Sequence, residues 1–180
     1  VSIASIIRER RSIKKGYKPD PVPEELVLEL LNDAVYAPNH GLREPWRFLF
    51  VSSEKKADFI ERMMPAFAAD QQEKRRGLFS EPSAFLIVIM NEDPRQKQWE
   101  EDFCATSALI QNFQLLAWEK DLGVVWKTNP HNLDPKARQI LGVQPGEKIV
   151  GFLHLGFFDR AEAPQAAPRT PAEQKFSRFE

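Results

Sequence analysis

A single cysteine, Cys104, stands in 180 residues, so no disulfide can form within the chain. That fits a reducing compartment, and a cytoplasmic location is expected. The first residues, from Val1 to Arg8, are too soon charged to read as a secretory signal. No run is long and apolar enough to span a bilayer, so no membrane partner is expected. Charge of one sign is also missing: the formal net charge is -1. Nucleic-acid binding rests on phosphate neutralisation over a basic face, so it is not expected either. The three histidines are far apart in sequence and no pair has ligand spacing, which gives no metal site. Neither G-x-G-x-x-G nor a P-loop occurs. The chain carries little chemistry of its own, so an organic cofactor would have to supply it.

What is present is the stuff of one folded domain: 42% hydrophobic and 28% charged residues, with no internal linker. Ser5 to Arg11 reads as a short helix with basic residues at its end. Glu24 to Tyr36 is a stronger one, with Leu26, Val27, Leu30, Leu31, Ala34 and Val35 at helical spacing. Pro23 opens it and Pro38 ends it. Further helices are expected over Glu54 to Met64 and Asp134 to Leu141. Strands are expected over Trp46 to Val51, Gly123 to Trp126 and Lys148 to Leu155. The continuous apolar run Ala84 to Met90 predicts a strand buried on both faces. Gln71 to Arg76 is so polar that it predicts an exposed, mobile stretch running to Pro82.

Phe103 to Trp118 is sixteen residues without a charge. Such a helix is no surface helix; it is central to the fold, part of a subunit interface, or both. Cys104 within it reads as buried and inert. Glu100, Glu101 and Asp102 before it read as a solvated first turn. Beyond Gly156 periodicity ends, yet Phe157, Phe158, Phe176 and Phe179 remain. This tail either lies on another surface, such as a partner subunit, or is disordered.

Arg10, Arg11, Ser12 and Lys14 place three cations and a hydroxyl within five residues. Guanidinium forks suit phosphate oxygens. The same residues would also arise simply because a helix C-terminus favours cations. Asn39, His40, Arg43 and Glu44 crowd the loop before Trp46, where polar side chains are placed to line a cofactor pocket. His131 and His154 read as structural.

In order and spacing these segments resemble the FMN-dependent nitroreductase family. The likeness rests on Arg-Arg-Ser-x-Lys, the Ala-Pro loop with Pro-Trp-Arg-Phe, the uncharged helix, Leu-Gly-Val-Val-Trp and Ile-Val-Gly-Phe-Leu-His-Leu-Gly. It implies an α+β fold, a mixed sheet flanked by helices, in an intertwined homodimer with FMN at the interface. One domain would span 1–180, its tail 157–180 packing on the partner. The resemblance implies cofactor contacts at Arg10, Arg11, Ser12 and Lys14, at Trp126, Lys127 and Thr128 beside the ring, and at Arg169 returning to the phosphate. Tyr36 would reach the partner's flavin, and His40 would contact flavin from its loop. No catalytic residue is assigned beyond His40 as a proton donor. The implied activity passes hydride from NAD(P)H through flavin N5 to an electron-poor acceptor, a nitroaromatic, quinone or activated alkene, in ping-pong fashion. A non-redox FMN carrier or sensor dimer is the alternative, and a cofactor-free interaction protein the third reading. Two departures concern the acceptor side. Glu44 stands where many relatives have glutamine, in need of Arg43 or Arg47 to neutralise it, and Gln71 to Pro82 falls over the substrate mouth.

Overall fold

The computed structural model describes residues 2–179. Four strands form one sheet in the order β1-β2-β4-β3: β1 Trp46–Val51, β2 Ala84–Asn91, β3 Leu122–Lys127 and β4 Glu147–Phe157. All neighbouring pairs are antiparallel. The one parallel contribution is an isolated bridge between Ser12 and Val124. Helices α1 Ile3–Glu9, α2 Glu24–Ala34, α3 Lys56–Met63, α4 Ala69–Ser80, α5 Gln96–Glu119 and α6 Pro135–Ile140 complete an α+β architecture.

The period of two along β2 explains the layers. Leu86, Val88 and Met90 enter a core with Leu30, Leu109, Ile110 and Phe113 from α2 and α5. Phe85, Ile87 and Ile89 enter a second core with Phe59, Met63 and Phe79 from α3 and α4. The sheet is therefore sandwiched, and its central strand is as fully buried as its uninterrupted apolar run predicts.

Several segments depart from the sequence reading. The expected mobile stretch Gln71 to Pro82 is instead helix α4. Its polar sequence needs little core: Phe79 alone is buried, and Arg76 is tied to Glu61. α1 begins earlier than expected, because Ser2 caps it by accepting from the Ser5 amide at 3.2 Å. In the tail, Phe158 is buried with Ile6, Ile13 and Trp118, and Phe157 packs on the first core. Those two phenylalanines belong to this chain's own core. Phe176 and Phe179 are exposed. Cys104 is exposed, not buried, because it lies on the outward side of α5.

Candidate functional site

The Arg10–Lys14 segment is fixed by close backbone approach. After α1 the chain runs beside β3, where the Ile13 amide donates to the Val124 carbonyl at 3.2 Å. Gly123 makes this possible. A Cβ there would sit 2.9 Å from that of Ile13, closer than side chains tolerate. Tyr17 finishes the anchor: its hydroxyl donates to the Ile13 carbonyl, and its ring covers Gly156. An open depression of about 470 Å³ follows the segment, lined by Arg11, Ser12, Lys14, Gly16 and Asp159 among others.

The cations of this segment divide between two tasks. Arg11 donates through Nη1 to the carbonyls of Arg8 and Arg10 at 2.6 and 2.7 Å, the role a helix C-terminus offers. Its Nε is buried without a partner. Arg10 is half-buried, with only a weak 3.5 Å contact to Gln114 Oε1. Burial, then Arg11, then Arg169 push its pKa down. Arg169, far along the sequence, is near enough for its charge to act on Arg10. Neither has a carboxylate partner among the described residues.

At the other end of the same region, β3 delivers Trp126, Lys127 and, just beyond it, the exposed Thr128. Trp126 donates from Nε1 to the Val150 carbonyl at 2.9 Å, which fixes the indole. Lys127 is half-buried; burial, Lys14 and Arg75 lower its pKa. Lys127 and Lys14 likewise lack ion-pair partners among the described residues. Positive charge without compensation is the shared property of both ends, and it is what a phosphorylated, electron-rich ligand neutralises.

Tyr36 and His40 do not join this group within one chain. His40 borders a surface depression with Glu101, Cys104, Ala105 and Ala108 on the first half of α5. Arg10 instead meets Gln114 on the second half. The nine residues from Ala105 to Gln114 amount to about 14 Å of helix. Tyr36 is 86% exposed and shares another depression with Asn39, Leu42 and Glu44.

The loop carrying His40 is tightly held. Asn39 Oδ1 accepts from the Glu44 amide at 3.0 Å, and Leu42 and Glu44 have φ of 50 and 43°. Arg43 grips both oxygens of Asp102 at 3.0 and 2.8 Å and reaches Asp93 at 2.8 Å. Asp102 is buried by this contact, not solvated as its acidic neighbours imply. Arg95 first, then Arg43, hold Asp93 below the usual carboxylate range. Arg47 is committed to Glu147 at 2.6 and 2.7 Å. Neither arginine pairs with Glu44, which lines the Tyr36 depression.

Sequence reasoning missed Gln114, Arg75 and Asp102. Gln114 sits in an apolar helix where only its polarity distinguishes it, and Arg75 looks like one more charge in a solvated run. Helix spacing does place Gln114 on the face shared with Ile110 and Ala117, a signal that it is buried for a reason.

A four-stranded antiparallel sheet sandwiched by helices, with an N-terminal cationic segment laid on its edge strand, is a nitroreductase-like fold. The solved nitroreductase-like family protein from Bacillus cereus has it, with a TM-score of 0.92 and 42% identity over 100% of this chain and 97% of that one. YfhC of Bacillus subtilis (strain 168), provisionally named an NAD(P)H nitroreductase, is 39% identical across 97% of this chain and 93% of its own. A Desulfovibrio desulfuricans structure in complex with FMN shares the fold, with a TM-score of 0.75 at 19% identity, covering 100% of this chain and 98% of that one. The sequence pattern of the nitroreductase family matches residues 7–157. The chain belongs to the nitroreductase family and is an oxidoreductase. No helix among its described residues is long and apolar enough to cross a membrane.

Proposed function

We propose that this protein is an FMN-dependent oxidoreductase that takes reducing equivalents from NAD(P)H. It delivers them to an electron-poor acceptor, a nitroaromatic, quinone or activated alkene, the two substrates alternating in one pocket. The observation that carries the reading is the Arg10–Lys14 segment seated beside β3, with Arg10, Lys14 and Lys127 all without an ion-pair partner among the described residues. FMN, when bound, supplies the two-electron chemistry. The chain's residues bind and orient. Arg10, Arg169 and the Ser12 hydroxyl suit the phosphate, with Arg11 adding charge and stiffening the turn. Lys14 and Lys127 put positive charge beside the ring, which favours the negative charge it gains on reduction. Trp126 and Thr128 line the segment that passes the ring.

His40 lies by the first half of α5, away from Gln114 and Arg10, and Tyr36 lies in a separate depression, so in this reading a second copy brings both to the flavin. A two-fold pairing along α5 would bring Tyr36 and His40 of one chain to the groove of the other. The exposed Tyr36, Leu42, Phe176 and Phe179 are then interface residues, and the tail 157–180 packs on the partner beyond Phe158. His40, exposed at that end, would be the proton donor to the acceptor.

The test is the visible spectrum of purified protein before and after anaerobic NADPH or NADH. A yellow protein that bleaches and recovers on adding a nitroaromatic supports the reading. A colourless protein that fails to take up FMN overturns it, and a yellow one that never bleaches is a carrier or sensor. Parallel double-reciprocal lines are expected when both substrates are varied; intersecting lines count against the shared pocket.

A further inference from the structure

Arg43, Arg47, Arg62, Arg76, Arg95 and Arg160 are all in ion pairs. Arg75 is not. Its neighbour Arg76 grips Glu61 at 2.8 and 2.9 Å, while Arg75 turns the other way and lays its guanidinium over the Phe67 ring, 5.2 Å from the centroid. Its Nε is buried and has no partner.

A chain of ring contacts leads from Arg75 to the groove. The Phe67 and His131 rings are 5.3 Å apart, and His131 lies 5.5 Å from Phe152. Phe152 is the cross-strand partner of Lys127 on β3, so both side chains leave the same face of the sheet. His131 Nε2 is buried and unpartnered as well. Arg75, His131 and Asp134 border a depression of about 290 Å³. Asp134 is the only carboxylate among its lining residues, and its Oδ1 already accepts from the Lys136 and Ala137 amides at 2.9 Å. Arg75 and Lys127 are in no ion pair among the described residues, Asp134 included, and forgo the hydrogen bonds they could donate. Burial first, then Lys14 and Arg75, lower the pKa of Lys127.

We infer that Arg75 and Lys127, with His131 beside them, form an anion subsite flanking the redox groove, which selects small molecules bearing a carboxylate or phosphate. The inference rests on the oxidoreductase reading for its role and on the unpaired cations for its existence. Within that reading the anion has two possible sources: a carboxylate on an aromatic acceptor or the 2′-phosphate of NADPH. Phe67 gives the aromatic source a surface to stack on.

Calorimetric titration of the holo-protein with benzoate and, separately, benzamide tests the subsite without turnover. Benzoate should bind detectably tighter than benzamide, and Arg75→Met should weaken benzoate by about tenfold or more, the loss of one charge-assisted contact. Arg75→Lys should restore part of the preference, which a general packing defect would not allow. In turnover, the ratio of kcat/KM for 4-nitrobenzoate over its methyl ester should fall about tenfold in Arg75→Met if the acceptor supplies the anion. If the NADPH over NADH ratio falls instead, the phosphate does. Equal binding of benzoate and benzamide, with neither kinetic ratio moved by Arg75→Met, overturns the inference. Arg75-dependent benzoate binding in a protein that oxidises no nicotinamide would leave the subsite standing and sink the oxidoreductase reading.

Discussion

Ile13 lies so close over Gly123 that a single added methyl would stand 2.9 Å from its own Cβ. This contact seats the cationic segment on the sheet edge, because the Ile13 amide then reaches the Val124 carbonyl. Gly123→Ala should therefore push Arg10 to Lys14 away from β3. Overpacking of this kind costs about 1–3 kcal/mol. The expected result is a lower urea midpoint together with loss of FMN on gel filtration. Retained flavin with unchanged midpoint would show that the segment is not seated by this glycine.

The charge of Arg169 acts on Arg10 although almost the whole chain separates them, and Arg10 is half-buried while Arg169 is exposed. Arg10→Met should weaken FMN binding by about tenfold or more, since a charged hydrogen bond contributes roughly 1.5–3 kcal/mol. Arg169→Met should act in the same direction. Riboflavin, which has no phosphate, is the control: fluorescence-quenching titrations should show its affinity nearly unmoved by either change. Equal losses for FMN and riboflavin would place these arginines away from the phosphate.

The sheet and its two cores were readable because β2 and α2 carry their burial in their periodicity. Ala84 to Met90 has no polar residue to confuse it, and Leu30 to Ala34 follows helical spacing. α4 was not readable. Gln71 to Arg76 has no apolar face, and the helix is held by one buried phenylalanine and an ion pair to α3, neither of which leaves a periodic trace. At the site, Arg10 and Lys14 announced themselves as clustered charge. The nearness of Arg169 to Arg10, and the commitment of Arg43 and Arg47 to Asp102 and Glu147, are relations between distant parts of the chain. Only the folded arrangement decides which cations are spent on carboxylates and which stay available to a ligand.

His154 and His131 are 4% and 7% exposed, set among Phe79, Phe85 and Phe152, each with Nε2 unpartnered. Burial chiefly, then Lys127 and the neighbouring imidazole, push His154 down to about 3. Burial, then Arg75 and Lys127, bring His131 to about 4 against a smaller opposing effect of Asp134. Folded pKa values below the unfolded value of about 6.5 mean that the unfolded chain binds more protons as the medium acidifies. Stability is full above about pH 6.5 and falls as pH drops toward 4 and 3, by up to about 1.4 kcal/mol per pH unit for each histidine. His154→Phe, which fits the surrounding rings, should flatten the slope of unfolding free energy between pH 6.5 and 5 while leaving pH 7.5 stability close to wild type. An unaltered slope would mean that His154 already titrates normally in the folded protein.

Phe176 is 71% exposed and Phe179 fully so, at the end of a tail whose described residues past the 3₁₀ turn Arg160–Glu162 form one further 3₁₀ turn at Ala172–Lys175. Two free phenylalanines are expensive in water, each worth about 1.5–3 kcal/mol when buried. Among the described residues nothing covers them, whereas Phe158 upstream is buried against Trp118, their ring centroids 4.9 Å apart. The tail is thus anchored at its root and unsatisfied at its end, as an arm reaching to a second copy would be. Replacing Phe176 and Phe179 together by serine should shift the proposed dimer toward monomer in light scattering at low micromolar concentration. It should also lower FMN retention, because separation removes the partner's Tyr36 and His40 from the groove. Circular dichroism should stay that of a folded chain, since neither ring contributes to either core. A variant that remains dimeric and yellow would place the tail's end away from the subunit interface.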